Sequence, residues 1–231
     1  IQSGGNYNTL IGDNAGSGIT TGDNNVAVGY NALVVTQTAS SNTAIGTNAL
    51  AANTTASNNT AVGLNALLAN TEGTENTAVG VTSLSANTEG NYNTAFGSNA
   101  LATNTDADFN TAIGRYALNA NAGASYNTAV GANAGQSVTT GAVNVFVGSN
   151  CGDANTTGAA NTAVGQEALG ANTEASYNVA VGYQALDANT TGASNTAIGN
   201  AALGANTTAS NNTAVGATSL DANTTGTQNN A

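Results

Sequence analysis

From Asn8 onward a bulky apolar residue recurs every seventeenth position: Ile11, Val28, Ile45, Val62, Val79, Phe96 and so on to Val215. Each is preceded by a small Ala, Leu or Phe, then by Thr or Val, then by Asn, and each is followed by Gly. The Asn column runs Asn8, Asn25, Asn42, Asn59, Asn76, Asn93, Asn110, Asn127, Asn144, Asn161, Asn178, Asn195, Asn212 and Asn229, with no insertion or deletion. Numbered from this Asn, the repeat reads N-T-A-V-G-x-x-A-L-x-A-N-T-T-G-x-x. A strict period of this length signals a solenoid, one coil per repeat.

Seventeen residues are too few for the ~30 or more that a pair of packed helices needs, and Gly, Asn and Thr are poor helix formers. Hairpin turns of the Asn-Gly or Asp-Gly type occur nowhere in the chain. The pattern therefore predicts an all-β parallel β-solenoid (β-roll) with one 17-residue coil per repeat and about 13 coils. It is read as a single continuous solenoid over 1–231: partial coil 1–7, full repeats 8–228, partial coil 229–231. Coils paired by parallel ladders ~4.8 Å apart would make a rod on the order of 62 Å long.

Stacking puts like residues over like. The column Asn8 to Asn229 is expected to be a structural ladder, amide bonded to amide, with Asn taking the unusual backbone angles of a coil corner. Gly at position 5 is expected at the next corner, where φ is positive or a side chain would clash. Positions 1–5 read as the clearest strand. Thr or Val at 2 shares a face with the bulky residue at 4, and Ala at 3 shares the opposite face with Gly at 5. One face is expected to fill the coil and the other to pack on a neighbouring chain.

Charge locates the rims. Every charged residue falls at positions 6, 7, 10, 14, 16 or 17; lone charges are almost never fully buried, so these positions should face water. The overall balance is 12 acidic residues against one basic, Arg115, for a net charge of −11. Nucleic-acid binding, which rests on Lys and Arg at phosphates, is thereby excluded, and adsorption to anionic lipid is disfavoured. No apolar run approaches the ~18 residues of a membrane span. The chain begins at Ile1 and shows no signal peptide, so it reads as a mature product or an excised piece. Both ends cut through a repeat, which points to a larger protein or to end-to-end stacking.

Catalytic chemistry is hard to build here. With no His and no Lys, a hydrolase triad or general acid–base pair lacks its usual members, and the chain reads as non-enzymatic. Cys/His zinc sites are excluded. Cys151 replaces Ala at position 8, a small buried side chain. Glu72, Glu89 and Asp106 hold position 14 of three successive coils. They are the one weak Ca²⁺ candidate; a solvated acidic stripe is the favoured reading, and no cofactor is expected. Tyr92, Phe109, Tyr126 and Tyr177 hold position 17, an aromatic strip for packing or, less readily, for sugar rings. Thr at 13 raises ice binding, but its neighbours at 14 are mixed, and Val26, Val145 and Val179 in the Thr column at 2 suggest burial. The Asn-x-Thr triplets at 53, 189, 206 and 223 match glycan acceptors but read as by-products of the repeat.

The unit N-T-A-V-G-x-x-A-L resembles the repeats in head domains of trimeric autotransporter adhesins, and more closely the NTAxGxxAL repeats of phage tail fibres and large bacterial surface proteins. The resemblance implies a left-handed parallel β-roll, often with three chains around an axis, and a surface-attachment or spacer role; adhesin head coils are shorter, so their contacts do not transfer. The expectation is an extracellular structural protein, at the cell surface or on a virion appendage, forming a rigid fibre or filament shaft. It would self-associate as a lateral trimer or bundle, or end to end as a filament. An adhesin or tail-fibre module binding a host glycan or receptor is the alternative, and an ice-binding protein is third.

Overall fold

A computed structural model describes residues 5–231; residues 1–4 of the expected partial coil 1–7 lie outside the described residues. The chain forms two compact units, Ile1–Asn110 and Thr111–Ala231. The first contains β1 (Thr9–Ile11), β2 (Val26–Val28), β3 (Thr43–Ile45), β4 (Thr60–Val62), β5 (Thr77–Val79) and β6 (Thr94–Phe96). The second contains β7 (Thr111–Ile113), β8 (Thr128–Val130), β9 (Val145–Val147), β10 (Thr162–Val164), β11 (Val179–Val181), β12 (Thr196–Ile198) and β13 (Thr213–Val215). Within each unit the strands pair in parallel and in chain order, each residue facing the one 17 further on, as in Thr60↔Thr77 and Thr162↔Val179. The fold is an all-β parallel solenoid, with no helix among the described residues.

The strand is three residues long because the backbone turns sharply on either side of it. Gly at position 5 takes a positive φ throughout, 130° at Gly29 and 138° at Gly165. A Cβ built on Gly29 would lie 2.7 Å from the Gly46 carbonyl oxygen of the next coil. Both expectations for this glycine hold: the angle and the close approach each demand it.

Three further corners use the left-handed region, mostly without glycine: position 7 (Asn48, φ 56°), position 9 (Leu50, φ 51°) and position 17 (Asn58, φ 64°). Asn at position 1 is not among them; its place in the repeat comes from its hydrogen bonds, not from a corner angle. A left-handed Leu costs roughly 1–2 kcal/mol. Full burial of its side chain returns about 1.5–3 kcal/mol, and Leu50, Leu67, Leu118 and Leu186 are all fully buried. Burial therefore outweighs strain at this corner.

Between corners the backbone bonds coil to coil. Thr60 donates to Asn76 O at 2.8 Å, Gly63 to Ile45 O at 2.8 Å, Leu67 to Ser83 O at 3.1 Å and Thr88 to Thr105 O at 2.8 Å. The second unit repeats the scheme, with Val179 donating to Asn195 O at 2.8 Å and Thr190 to Thr207 O at 2.9 Å. The groups left over at the corners bond within a coil, as Ala66 N–H does to Gly63 O. Each coil is thus a hydrogen-bonded template for its neighbours.

Positions 1, 3, 8, 9, 12 and 15 point inward and are buried. The strand's inward residue is the small one at 3, for instance Ala61, Ala78 and Ala180, each fully buried. The bulky residue at 4 faces outward, and Phe96 is 56% exposed. Thr or Val at 2 also faces outward: Val26 and Val179 are half-buried and Val145 is exposed. That corrects the burial inferred for position 2. The coil is too narrow to hold a branched residue at 3 opposite Leu at 9, so size decides which strand face turns in.

The exceptions confirm this limit. Phe146 stands at position 3 in β9 and is fully buried. Position 9 is Gly in that coil and in the one before it, Gly152 and Gly135. A Cβ on Gly152 would strike the Phe146 ring, and one on Gly135 would come within 2.8 Å of Phe146 Cδ2. Leu10 with Gly16 repeats the exchange in the first described coil. Large at 3 requires nothing at 9, a volume-conserving swap.

Candidate functional site

The buried Asn column expected from the sequence is present. Its geometry differs from a simple amide stack. The Oδ1 of each Asn accepts the backbone N–H of the Asn one coil on: Asn59 from Asn76 at 2.9 Å, Asn161 from Asn178 and Asn178 from Asn195 at 3.0 Å each. The Nδ2 donates to the carbonyl of position 15 in its own coil, as Asn59 does to Gly73 and Asn178 to Gly192. Amide-to-amide contacts are the minority, for example Asn144 to Asn127 at 3.2 Å. The side chain thereby serves backbone groups at the corner that no strand partner reaches.

A second buried ladder was missed. Position 12 is Asn in ten of 13 repeats, and here amide bonds amide: Asn87 to Asn70 at 2.8 Å, Asn104 to Asn87 at 2.8 Å, Asn172 to Asn155 at 2.6 Å and Asn206 to Asn189 at 2.9 Å. The same Nδ2 groups also donate to position 15, as Asn70 does to Gly73 O at 2.9 Å. Both Asn columns therefore converge on one carbonyl per coil. Near-invariance of Asn at a second site was the signal. Two outer ladders add to these: Asn48 donates to Asn65 Oδ1 at position 7, and Asn91 N–H donates to Asp108 Oδ1 at position 16.

Glu72, Glu89 and Asp106 are all exposed at position 14, and no group of three or more metal-ligating side chains comes together among the described residues. Elsewhere Asp153 and Asp187 feel the charge of Glu167. Gly170, between the two aspartates, leaves them room: a Cβ there would meet Asp187 Oδ1 at 2.8 Å. Partial burial raises both aspartates above the usual carboxylate value, opposed at Asp153 by hydrogen bonds from its own and the Ala154 backbone. The nearby charge of Glu167 raises both further, and Asp153 adds to the effect on Asp187. Glu167 in turn accepts a hydrogen bond from Gln184 Nε2 at 2.8 Å.

Cys151 is fully buried at position 8, as the sequence indicated, with its thiol donating to Ala163 O at 3.2 Å. Burial pushes it up to about 12, which leaves it protonated and inert at neutral pH. In the aromatic strip, Tyr92 and Phe109 stack at 4.9 Å between centroids, 5° from parallel. Tyr126 and Tyr177 are exposed at 60% and 69%. Arg115 lies over the Tyr116 ring at 4.3 Å. The triplet residues Asn53, Asn189 and Asn206 are fully buried and Asn223 is half-buried; the first three donate to position-15 carbonyls, at Ala56, Gly192 and Ala209, and Asn223 donates to Asn206 Oδ1. The Thr hydroxyls at 13 donate into the ladder as well, Thr88 to Thr105 O at 3.1 Å and Thr156 to Thr173 O at 2.9 Å.

Within each unit the exposed apolar side chains gather on the strand and beside its two corners, at positions 17, 2, 4 and 6. Every exposed large apolar side chain among the described residues except Val35 lies at one of these four positions. Their charges are only Asp13, Glu75 and Arg115. The remaining charges lie at positions 7, 10, 14 and 16.

No helix among the described residues is long and apolar enough to cross a membrane. The sequence matches no protein-family model and no curated protein.

Proposed function

We propose that the chain is a non-enzymatic, extracellular structural protein: the rigid shaft of a fibre, filament or appendage of the kind its NTAxGxxAL repeat resembles. The observation that carries this reading is the coil-to-coil bonding. Each coil is tied to its neighbours by backbone ladders and two buried Asn columns, an arrangement whose stability adds coil by coil. Residues that perform chemistry are scarce: the lone thiol is buried and protonated.

Electron microscopy of the native assembly tests the proposal. Straight, uniform rods containing this chain outside the cell support it; compact particles or a cytoplasmic location overturn it. Trypsin supplies a second reading, since the single site after Arg115 leaves a folded shaft in at most two pieces.

One observation favours an adhesive role as the second reading. The half-exposed Tyr92–Phe109 stack offers aromatic surface against which a sugar ring could pack. Binding on a glycan array that disappears in Tyr92→Ala would select it.

A further inference from the structure

We propose that the strand face of the second unit binds ice, with the outward side chains at positions 2 and 4 of β7–β13 acting as a template for ordered water. This is a further activity, and it does not rest on the shaft reading.

The face is uniform in side-chain type. Its first column, Thr111 to Thr213, holds only Thr and Val, and its second, Ile113 to Val215, only Val and Ile. All are half-buried or exposed. Every one is β-branched, and branching at Cβ holds χ1 stiff, so the methyl groups are fixed before any ligand arrives. No charge occupies either column. In the first unit Phe96 interrupts the second column, which leaves the regular face to the second unit. The Thr hydroxyls there are unspent. Among the described residues, Thr111, Thr128, Thr162, Thr196 and Thr213 make no side-chain hydrogen bond within the chain. At position 13, by contrast, Thr139 Oγ1 donates to Thr156 O at 3.1 Å and Thr156 Oγ1 to Thr173 O at 2.9 Å. The position-2 column thus offers free donors and acceptors beside methyl groups, in register from coil to coil.

The spacing selects the ligand. The position-2 N–H donates to the next coil at 2.8 Å in every strand from Thr111 to Thr213, so the coils rise evenly, and side-chain ladders such as the two Asn columns favour a flat sheet. Neighbouring strands lie ~4.8 Å apart, and positions 2 and 4 are ~6.6 Å apart along the strand. Tetrahedral water hydrogen-bonded at ~2.75 Å repeats every ~4.5 Å within a layer of ice and every ~7.3 Å across layers. The mismatch of ~0.3 Å per coil accumulates to ~1.8 Å between β7 and β13, less than half a repeat. Across the strand there is one step only, so its mismatch does not accumulate.

A protein partner fits this face less well. Three residues of strand over seven coils cover on the order of 340 Å², well short of the ~800 Å² per partner of a stable interface. Thr and Val are under-represented among the residues that anchor such interfaces. A second copy would also bring another −11 of charge against the first, whereas an ice surface is neutral and meets a neutral face.

Ice-growth measurements on the full chain test the proposal. The wild-type chain is expected to hold the freezing point below the melting point of a seeded crystal and to be taken up into slowly growing ice. Thr162→Tyr raises a ring from the middle of the face and should abolish both effects. Tyr favours strands, and Thr196→Tyr repeats the test in another coil should the first variant fail to fold by circular dichroism. Thr157→Tyr, at exposed position 14, should leave both effects unchanged. A wild-type chain with no thermal hysteresis and no uptake overturns the proposal. So does full activity in the folded Thr162→Tyr or Thr196→Tyr variant, or activity lost in Thr157→Tyr instead. Sedimentation showing an oligomer that Thr162→Tyr dissociates would give the face to a second copy and overturn it too. A chain inactive toward ice that still forms rods in microscopy leaves the shaft reading standing, so the two failures are distinguishable.

Discussion

Phe146→Ala is the sharpest perturbation of the coil interior. The side chain is fully buried at the one described position-3 site that holds an aromatic ring. Its space exists because Gly135 and Gly152 stand where other coils place Leu. Neither glycine can move a side chain into the hole. Truncation should therefore cost the upper part of the usual range for Phe to Ala, ~4–5 kcal/mol. With a urea slope of ~1–3 kcal/mol per M, the midpoint falls by more than 1 M. The second exchange tests the reasoning itself. Gly152→Leu alone drives a Cβ into the Phe146 ring and should destabilise the protein. In the Phe146→Ala background it restores the Ala–Leu pair seen at Ala163 and Leu169, both fully buried, and should stabilise it. The backbone is ready, since φ is 57° at both Gly152 and Leu169. Urea denaturation of the four proteins gives the cycle. A loss under ~1 kcal/mol for Phe146→Ala, or a Gly152→Leu effect of the same sign in both backgrounds, would refute the claim that coil volume is shared between positions 3 and 9.

Other consequences are equally direct. Asn178→Ala should cost ~2–4 kcal/mol, because it strands the buried Asn195 N–H and removes a donor from Gly192 O; an Asn178→Ala melting profile matching the wild type would contradict the ladder's role. Gly165→Ala meets φ 138° and the Gly182 backbone at once, so a loss of at least ~2 kcal/mol is expected by denaturant titration. The Cys151 thiol is raised from 9.0 to about 12 in the folded chain. Above pH 9 the unfolded thiol ionises while the folded one keeps its proton, so stability drops by ~1.4 kcal/mol per pH unit until the folded thiol titrates. Cys151→Ala should abolish that slope in alkaline melts. Asp153 and Asp187 are raised above 3.8, so their contribution favours the folded state at acid pH and diminishes as pH climbs through the carboxylate range; Asp187→Asn should flatten that limb.

The period, the strand, the glycine corner and the charged rims were legible because each leaves a residue type that only one physical demand explains. Gly at 5 answers a positive φ, and Asp and Glu answer to water. The strand's orientation was not legible by hydropathy, which sends Val79 inward and leaves Ala78 undecided. The opposite holds, because an interior one coil wide admits Ala but not Val opposite Leu84. The left-handed Leu corners were invisible for a related reason: Leu is a poor choice for that angle, and only its burial in the finished coil makes it a good one. The Asn column at position 1 was found for its regularity, yet its partners are main-chain groups. Side-chain identity alone does not announce that. As for the candidate sites, the stripe Glu72–Glu89–Asp106 was visible as spacing, whereas the influence of Glu167 on Asp153 and Asp187, scattered over positions 7 and 10, appears only when the coils stack.

The direction of the Asn ladder has a consequence for how the molecule is made. The acceptor oxygen always belongs to the earlier residue and the amide it receives to the later one, as in Asn161 and Asn178. A nascent chain leaving the ribosome therefore finds its docking oxygen already in position 17 residues behind it. Contacts of such short sequence separation assemble quickly, and synthesis from the N-terminus supplies them in order. Growth of the solenoid can keep pace with translation, one winding at a time.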